Sequence, residues 1–309
     1  MNHLKIITGS SNPSLAERIA KYLQLELCDV SLERFGDGEI RAKVNENIRG
    51  VDVFLVQSTN PPAENLLELL ILIDTCFRAS AERITCVIPY YGYARQDRKD
   101  QPRVPISAKL VAKLIDTAGA NRVLTLDLHS AQIQGFFDIQ ADHLFAAPVL
   151  LERITDKNII EPTIVCPDVG SIKMGRAFAK RLNADLAIVD KRRSDKDKTE
   201  VMNLIGDVEG RNVVILDDMI ASGSTLVEAA NEIHRRGAKT IIACATHAIF
   251  SGNACERIMD SPMHEVVVTN SIPFDTNRCS KVRVQDVSQI LGEAIQRIHS
   301  NESVSTLFL

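Results

Sequence analysis

An α/β architecture of two similar domains, each a mainly parallel sheet flanked by helices, is the fold class this sequence predicts. Short β-branched runs alternate with longer segments of helical period. The runs number about nine or ten, more than one sheet holds comfortably. Clusters of acids, amides and small residues recur at strand ends in both halves of the chain.

The predicted strands of the first half are 4-LKIIT-8, 51-VDVFLV-56, 84-ITCVI-88 and 122-RVLTL-126. Those of the second half are 163-TIVC-166, 185-DLAIV-189, 212-NVVIL-216, 240-TIIACA-245 and 265-EVVVT-269. Between them, 63–79, 106–119 and 224–237 carry apolar residues at helical spacing, the last two ending at glycine as helices often do. Strand, helix, strand in this order implies parallel pairing with helices on both faces. The expected division is residues 1–145 and 146–309, joined near 140-QADHLFAAP-148.

The 309 residues are 45% hydrophobic and 25% charged with a formal net charge of −4, which gives no reason to expect a nucleic-acid partner. No apolar stretch approaches the ~18 residues of a membrane span. The N-terminal MNHLKIITGSSNPS has too short an apolar run for a signal-peptide core, so a cytoplasmic protein is expected. The seven cysteines are scattered, never spaced CxxC, and several sit inside apolar runs where a thiol behaves as a small hydrophobe.

In open α/β sheets, ligands bind outside the carboxyl ends of the strands, and the polar clusters fall there. The clearest is 217-DDMIASGST-225, after the run 212-NVVIL-216. Acids at a strand end hold ribose hydroxyls or Mg²⁺, and a small-residue turn before a helix lets backbone N–H groups close around a phosphate. A capped helix without ligand gives the same small-residue turn, but the paired Asp217 and Asp218 favour a phosphosugar. Because side chains alternate along a strand, both acids serve one ligand only if the chain turns there.

In 127-DLHSAQIQGFFD-138, an acid, a histidine and an amide-rich turn coincide at a strand end, fitting a metal or a phosphate. The segment 34-RFGDGEIR-41 is a glycine turn followed by a β-like stretch. In 90-YYGYARQDRKDQPRVP-105, aromatics stand beside arginines, a combination that stacks on a base and grips phosphate. The run 190-DKRRSDKDKTE-200 has no apolar residue and reads as a solvated loop that could bring cations over a reacting phosphoryl group. No GxxxxGK[ST] sequence is present, so any kinase chemistry is not of the P-loop kind.

Ten ordered segments resemble the phosphate-dependent class I ribose-phosphate diphosphokinases, the phosphoribosyl-pyrophosphate synthetases. They are RFGDGE, NENIRG, YARQDRK, VPISAKL, DLHSAQIQGFFD, DKRR, DVEGR, DDM, SGNA and ESVSTLF, spanning the whole chain. The resemblance implies two phosphoribosyltransferase-type domains, the first on the ATP side and the second on the ribose 5-phosphate side. The C-terminal residues would pack back on the first. It implies transfer of the β,γ-diphosphoryl group of ATP to the anomeric hydroxyl of ribose 5-phosphate, for nucleotide biosynthesis. By position, Phe35, Asp37, Glu39, Arg95, Gln96, Arg98 and Asp100 would bind ATP, and His129 and Asp168 would hold Mg²⁺. Lys191 and Arg193 would be catalytic, while Asp217, Asp218 and the loop Ala221, Ser222, Gly223, Ser224, Thr225 would take ribose 5-phosphate. A homo-oligomer, commonly a hexamer, is implied, with inorganic phosphate as activator at a site that Arg49, Ser303 and Phe308 could share.

The sequence departs from the family pattern in three places. The phosphate loop usually reads DDMIDTGGT, whereas here Ala221 replaces Asp and Ser224 replaces Gly. Gly170-Ser171 stands where a glycine pair is usual, and Gln140 where proline is. These changes keep alive a weakly active or regulatory subunit as a second reading. A phosphoribosyltransferase, which shares the strand–DD–turn–helix element, fits less well because of the ATP-type loops and the chain length.

Overall fold

The protein, described from a computed structural model over residues 4–156, 159, 161–168, 170–193 and 200–308, divides into two compact units. The first comprises Met1–Phe145, Ser271–Pro273 and Val287–Leu309, and the second Ala146–Asn270 and Phe274–Asp286. The return to the first unit thus begins well before the terminal ESVSTLF.

In the first unit, β1 (Leu4–Thr8), β4 (Asp52–Val56), β5 (Arg83–Ile88), β6 (Arg122–Leu126) and β7 (Gln140–Leu144) form one sheet in the order β1-β4-β5-β6-β7. Every pairing in it is parallel. All five residues of β4 are buried, its apolar run 53–56 following Asp52, as expected when helices cover both faces. Helix α1 (Pro13–Tyr22) starts on Asn12, whose side chain accepts from Leu15 N. Helix α2 (Glu64–Arg78) buries Leu69, Leu72, Ile73 and Cys76, spaced i, i+3, i+4, i+7. Each buried aliphatic contributes about 1.5–3 kcal/mol. Helix α3 (Ser107–Ala118) stops at Gly119 as expected. A separate antiparallel hairpin joins β2 (Val30–Arg34) to β3 (Ile40–Val44).

In the second unit, β8 (Pro162–Cys166), β9 (Asp185–Arg193), β10 (Glu200–Ile205), β11 (Asn212–Ile220), β12 (Thr240–Ala248), β13 (Glu265–Thr269) and β14 (Val282–Gln285) follow the order β10-β9-β8-β11-β12-β13-β14. The pairing is parallel except between β9 and β10. Its helices are α4 (Ala147–Asp156), α5 (Ile172–Leu182), α6 (Ser224–Arg235) and α7 (Ala254–Asp260). Val165, Val213, Ile215, Ile233 and Val266 lie in its core. The last helix, α8 (Ser288–His299), belongs to the first unit and packs against α1.

The α/β class with parallel sheets is as expected, but the strands are more numerous: fourteen among the described residues. Two differences matter. The expected linker at 140–148 contains β7, an edge strand whose Asp142 pairs with Arg122 across the sheet at 2.5 Å. Of the run 190–200, expected as a loop, residues 190–193 belong to β9 and Glu200 to β10, with Arg193 opposite Glu200 and Met202 opposite Lys191, while 194–199 lie outside the described residues. No helix among the described residues is long and apolar enough to cross a membrane.

Candidate active site

Strand β11 does not turn at its paired acids. It continues in register with β12 through Asp217↔Ala245 to Ile220↔Ala248, so Asp217 and Asp218 leave the strand on alternate faces, yet their carboxyls come close enough at its end to interact with each other. The turn comes at residues 221–223. Asp217 Oδ1 accepts from the Asp218 N–H at 2.9 Å. Burial, with the negative charges of Asp218 and Asp168 nearby, pushes the Asp217 carboxyl well above its ordinary range. The second unit therefore gathers three acids at the carboxyl ends of β8 and β11.

Asp168 follows β8 and is exposed. Its Oδ1 accepts from Ser171 N at 3.1 Å and its carbonyl accepts from Ser171 Oγ at 3.0 Å. The serine at 171, where a glycine is usual, fixes the carboxylate with one oxygen toward the start of α5.

The loop between β11 and α6 is tied from one side. Ile220 O accepts from Ile249 N and Phe250 N, both at 3.0 Å. Ala221 O accepts from Ser251 N at 2.9 Å, and Ser222 O from Arg257 Nη1 at 3.0 Å. Gly223 adopts φ 72°, the left-handed region that glycine enters without cost, and leads into the twelve residues of α6. The Ser222 and Ser224 hydroxyls lie 2.9 Å apart, and Thr225 is exposed beside them. The Ser222 and Gly223 N–H groups have no protein partner among the described residues and, as donors at a helix start, are open to an anion.

In the first unit, the hairpin tip between β2 and β3 exposes Phe35, with Arg41 over its ring at 5.7 Å. Phe35 N donates to Glu39 O, and Glu39 N to Asp37 Oδ1 at 3.1 Å, which sets both acids on the tip. The loop after β5 is a second element. Arg95 and Gln96 line a cavity of about 430 Å³ with Thr59, Pro61, Pro62, Tyr90, Gly92 and Tyr93. A side chain at Gly92 would meet Thr59 O at 2.2 Å, so only glycine allows this close approach. Arg98 and Asp100 lie further along the loop and are exposed. The loop meets the segment after β6 through Gln132 Nε2, which donates to Asp97 Oδ2 at 3.1 Å.

That segment begins with Asp127 at φ 38° and continues to an exposed His129. Leu128 N donates to Nε2 of the buried His143 at 2.9 Å, anchoring the start of the turn on β7. His129 belongs to the first unit and Asp168 to the second. Lys191 and Arg193 have their backbone in β9, and their side chains lie outside the described residues. Arg49 is exposed near a turn in which its N–H donates to Asn47 Oδ1 at 3.1 Å. Ser303 is also exposed, its Oγ accepting from Ser305 N at 3.2 Å. The Phe308 side chain lies outside the described residues.

Sequence reading missed Thr59, Pro61 and Pro62, although the dipeptide Pro61-Pro62 in a polar stretch after β4 marks a strand-end loop. It also missed Arg257, which nothing in the local sequence connects with the loop it holds.

Residues 4–119 match the model of the N-terminal domain of ribose phosphate pyrophosphokinase, and residues 193–309 that of the phosphoribosyl synthetase-associated domain. A ribose-phosphate pyrophosphokinase of Chlorobaculum tepidum is 54% identical over 306 residues, covering 99% of this chain and 95% of that protein. One from Aquifex aeolicus is 50% identical, with both chains covered in full. The crystal structure of phosphoribosylpyrophosphate synthetase from Mycobacterium smegmatis superposes with a TM-score of 0.91 at 37% identity, covering 97% of this chain and 99% of that one. Parallel sheets with acid- and hydroxyl-bearing strand ends, together with these likenesses, define an α/β transferase of the phosphoribosyl synthetase class. Within that class, the chain belongs to the ribose-phosphate pyrophosphokinase family and is an enzyme of that activity.

Proposed function

We propose the following division of labour for a reaction in which the β,γ-diphosphoryl group of ATP passes to the anomeric hydroxyl of ribose 5-phosphate, giving 5-phosphoribosyl 1-diphosphate and AMP. Residues 1–145 serve the ATP side and 146–309 the acceptor side. Asp217 and Asp218 receive the ribose hydroxyls, and Ala221 to Thr225 enclose the 5-phosphate. The observation that carries this is the pair of unpartnered N–H groups at Ser222 and Gly223, held at the start of α6 behind two acids. Ala221 in place of an acid lowers repulsion toward a phosphate, and the Ser224 hydroxyl adds a donor. Arg95 and Gln96, in the wall of their cavity, take ATP with Arg98 and Asp100, and Phe35, Asp37 and Glu39 present a stacking ring and acceptors at the hairpin tip.

The Mg²⁺ of this reading would be held by the carboxylate of Asp168, a hard oxygen donor, and by the imidazole of His129, each exposed in its own unit. The crowding of Asp168, Asp217 and Asp218 is itself relieved by a cation. When bound, the ion neutralises charge on the phosphates. The chain's own residues do the rest. The acids and the loop hold the acceptor in line, and Lys191 and Arg193, whose backbone lies in β9, supply positive charge for the transferred group. Inorganic phosphate acts as activator near Arg49, Ser303 and Phe308. The protein works in the cytoplasm as a homo-oligomer, a hexamer in this reading. The exposed Leu67 and Phe77 of α2 and Leu110 and Leu114 of α3 offer an apolar face for subunit contact.

AMP release from ATP, assayed with each of ribose 5-phosphate, Mg²⁺ and inorganic phosphate omitted in turn, tests this reading. Turnover is expected only with the complete mixture. A chain that binds both substrates and releases no AMP is instead a regulatory subunit.

A further inference from the structure

Arg257 stands on α7, thirty-five residues from the loop it touches, and its only side-chain hydrogen bond among the described residues is the one from Nη1 to Ser222 O at 3.0 Å. No carboxylate pairs with it there. It is half-buried, so its charge is committed to a backbone carbonyl rather than to an ion pair. A trans peptide is planar, and its N–H points opposite to its C=O. Holding Ser222 O toward α7 therefore turns the Gly223 N–H to the other side. The same geometry applies one residue earlier, where Ser251 N holds Ala221 O and so turns the Ser222 N–H. Two consecutive carbonyls are drawn back, and two consecutive N–H groups are presented together, which is the arrangement of an anion-binding nest.

Helix α7 is in turn fixed. The Lys281 ammonium donates to Ile258 O at 3.2 Å, Met259 O at 2.8 Å and Ser261 O at 2.7 Å, capping its C-terminal carbonyls with all three of its protons. The chain thus builds a rigid path from β14's approach, through Lys281 and α7, to a guanidinium on the loop.

We propose that Arg257 is a positioning residue for the acceptor's 5-phosphate: it sets the 222–223 peptide so that the loop's N–H groups converge on the anion. The inference rests on the acceptor-loop reading above. A side chain acting through one peptide plane changes the affinity for ribose 5-phosphate and leaves the ATP side alone.

The test uses the full chain with Arg257→Ala and Arg257→Lys. KM for ribose 5-phosphate and for ATP are measured by AMP release, and ribose 5-phosphate binding by titration calorimetry. Removal of one charge-assisted hydrogen bond predicts a rise of roughly 10- to 100-fold in KM for ribose 5-phosphate, with kcat and KM for ATP changed less than about threefold. Lysine, which can still donate to Ser222 O, recovers most of the loss, and remains readable if the alanine chain does not fold. Unchanged KM for ribose 5-phosphate in the alanine chain, a parallel rise in KM for ATP, or no recovery by lysine overturns the proposal. Thr225→Val separates this from the underlying reading. If it weakens ribose 5-phosphate while Arg257→Ala does not, the loop is the acceptor site and Arg257 is not its clamp. If neither matters, the loop reading itself fails.

Discussion

Gly223→Ala isolates the conformational demand on the acceptor loop from its sterics. A β-carbon at this position would have its closest contact at 3.7 Å, to Ala254, so there is room for it. What it would not tolerate is φ 72°, since an L-residue in the left-handed region costs roughly 1–2 kcal/mol. Without ligand, the variant loop relaxes by rotating the peptides around residue 223, and the N–H groups at 222 and 223 diverge. Ribose 5-phosphate must then restore the native turn, and the strain sets an upper bound on the loss. That bound is about 1–2 kcal/mol, or roughly 5- to 30-fold in affinity. Titration of ribose 5-phosphate at saturating ATP should show KM raised within that range, with KM for ATP unchanged to about twofold. Gly223→Asn, which enters the left-handed region more readily, should fall between the two. A KM for ribose 5-phosphate equal to that of the unmodified chain, in a variant with unchanged melting, would refute the idea that the turn at 223 shapes the anion site.

Two other outcomes are expected. Lys191→Ala should lower turnover by orders of magnitude with modest changes in both KM values, because its proposed role is on charge that develops during transfer; turnover near that of the parent chain removes the role. Asp52→Asn should destabilise the first unit without touching the site: its buried carboxylate accepts from Arg83 Nε at 2.9 Å, from Arg83 Nη2, and lies 2.8 Å from His299 Nδ1. Breaking such a pair costs about 3 kcal/mol at the lower end of the buried range, a drop of roughly 6 °C or more in Tm, read by calorimetry beside unchanged KM values.

The fold was legible where burial on both faces forces a run of apolar residues, as at 53–56 in β4, 86–88 in β5 and 213–216 in β11. It was not legible where one face is polar. Strand β7 reads Gln-Ala-Asp-His-Leu because it is an edge strand whose Asp142 faces Arg122 and whose His143 anchors a neighbouring turn. The facing ends of β9 and β10 were hidden by their charges, which strands at a sheet edge carry as readily as a loop does. The acceptor loop was legible because its acids, turn and helix start are contiguous in sequence. Arg257 and the Thr59–Pro62 wall were not, because folding, and not spacing, brings them to the loops they meet.

One sequence-based inference erred in an instructive way. The strand was read as ending at its paired acids, with a turn there needed for both to serve one ligand, yet β11 runs straight through Asp217 and Asp218 and their carboxyls still interact. The price of that geometry appears at Asp217, where burial and then the charges of Asp218 and Asp168 oppose ionisation. A carboxyl whose folded pKa lies above its unfolded value lowers stability wherever it is ionised, because the unfolded chain releases its proton more easily. The fold thus keeps an acid where it weakens the ligand-free protein, and two residues of backbone N–H without a partner a few positions later. Neither feature helps folding, and neither is needed to end a strand or start a helix. In the proposed reading both find their complement in one bound complex: hydroxyls and a cation for the acids, a phosphate for the N–H groups. Local rules are most often broken at functional sites, and the coincidence of both features within nine consecutive residues supports the proposal that this strand end takes the acceptor.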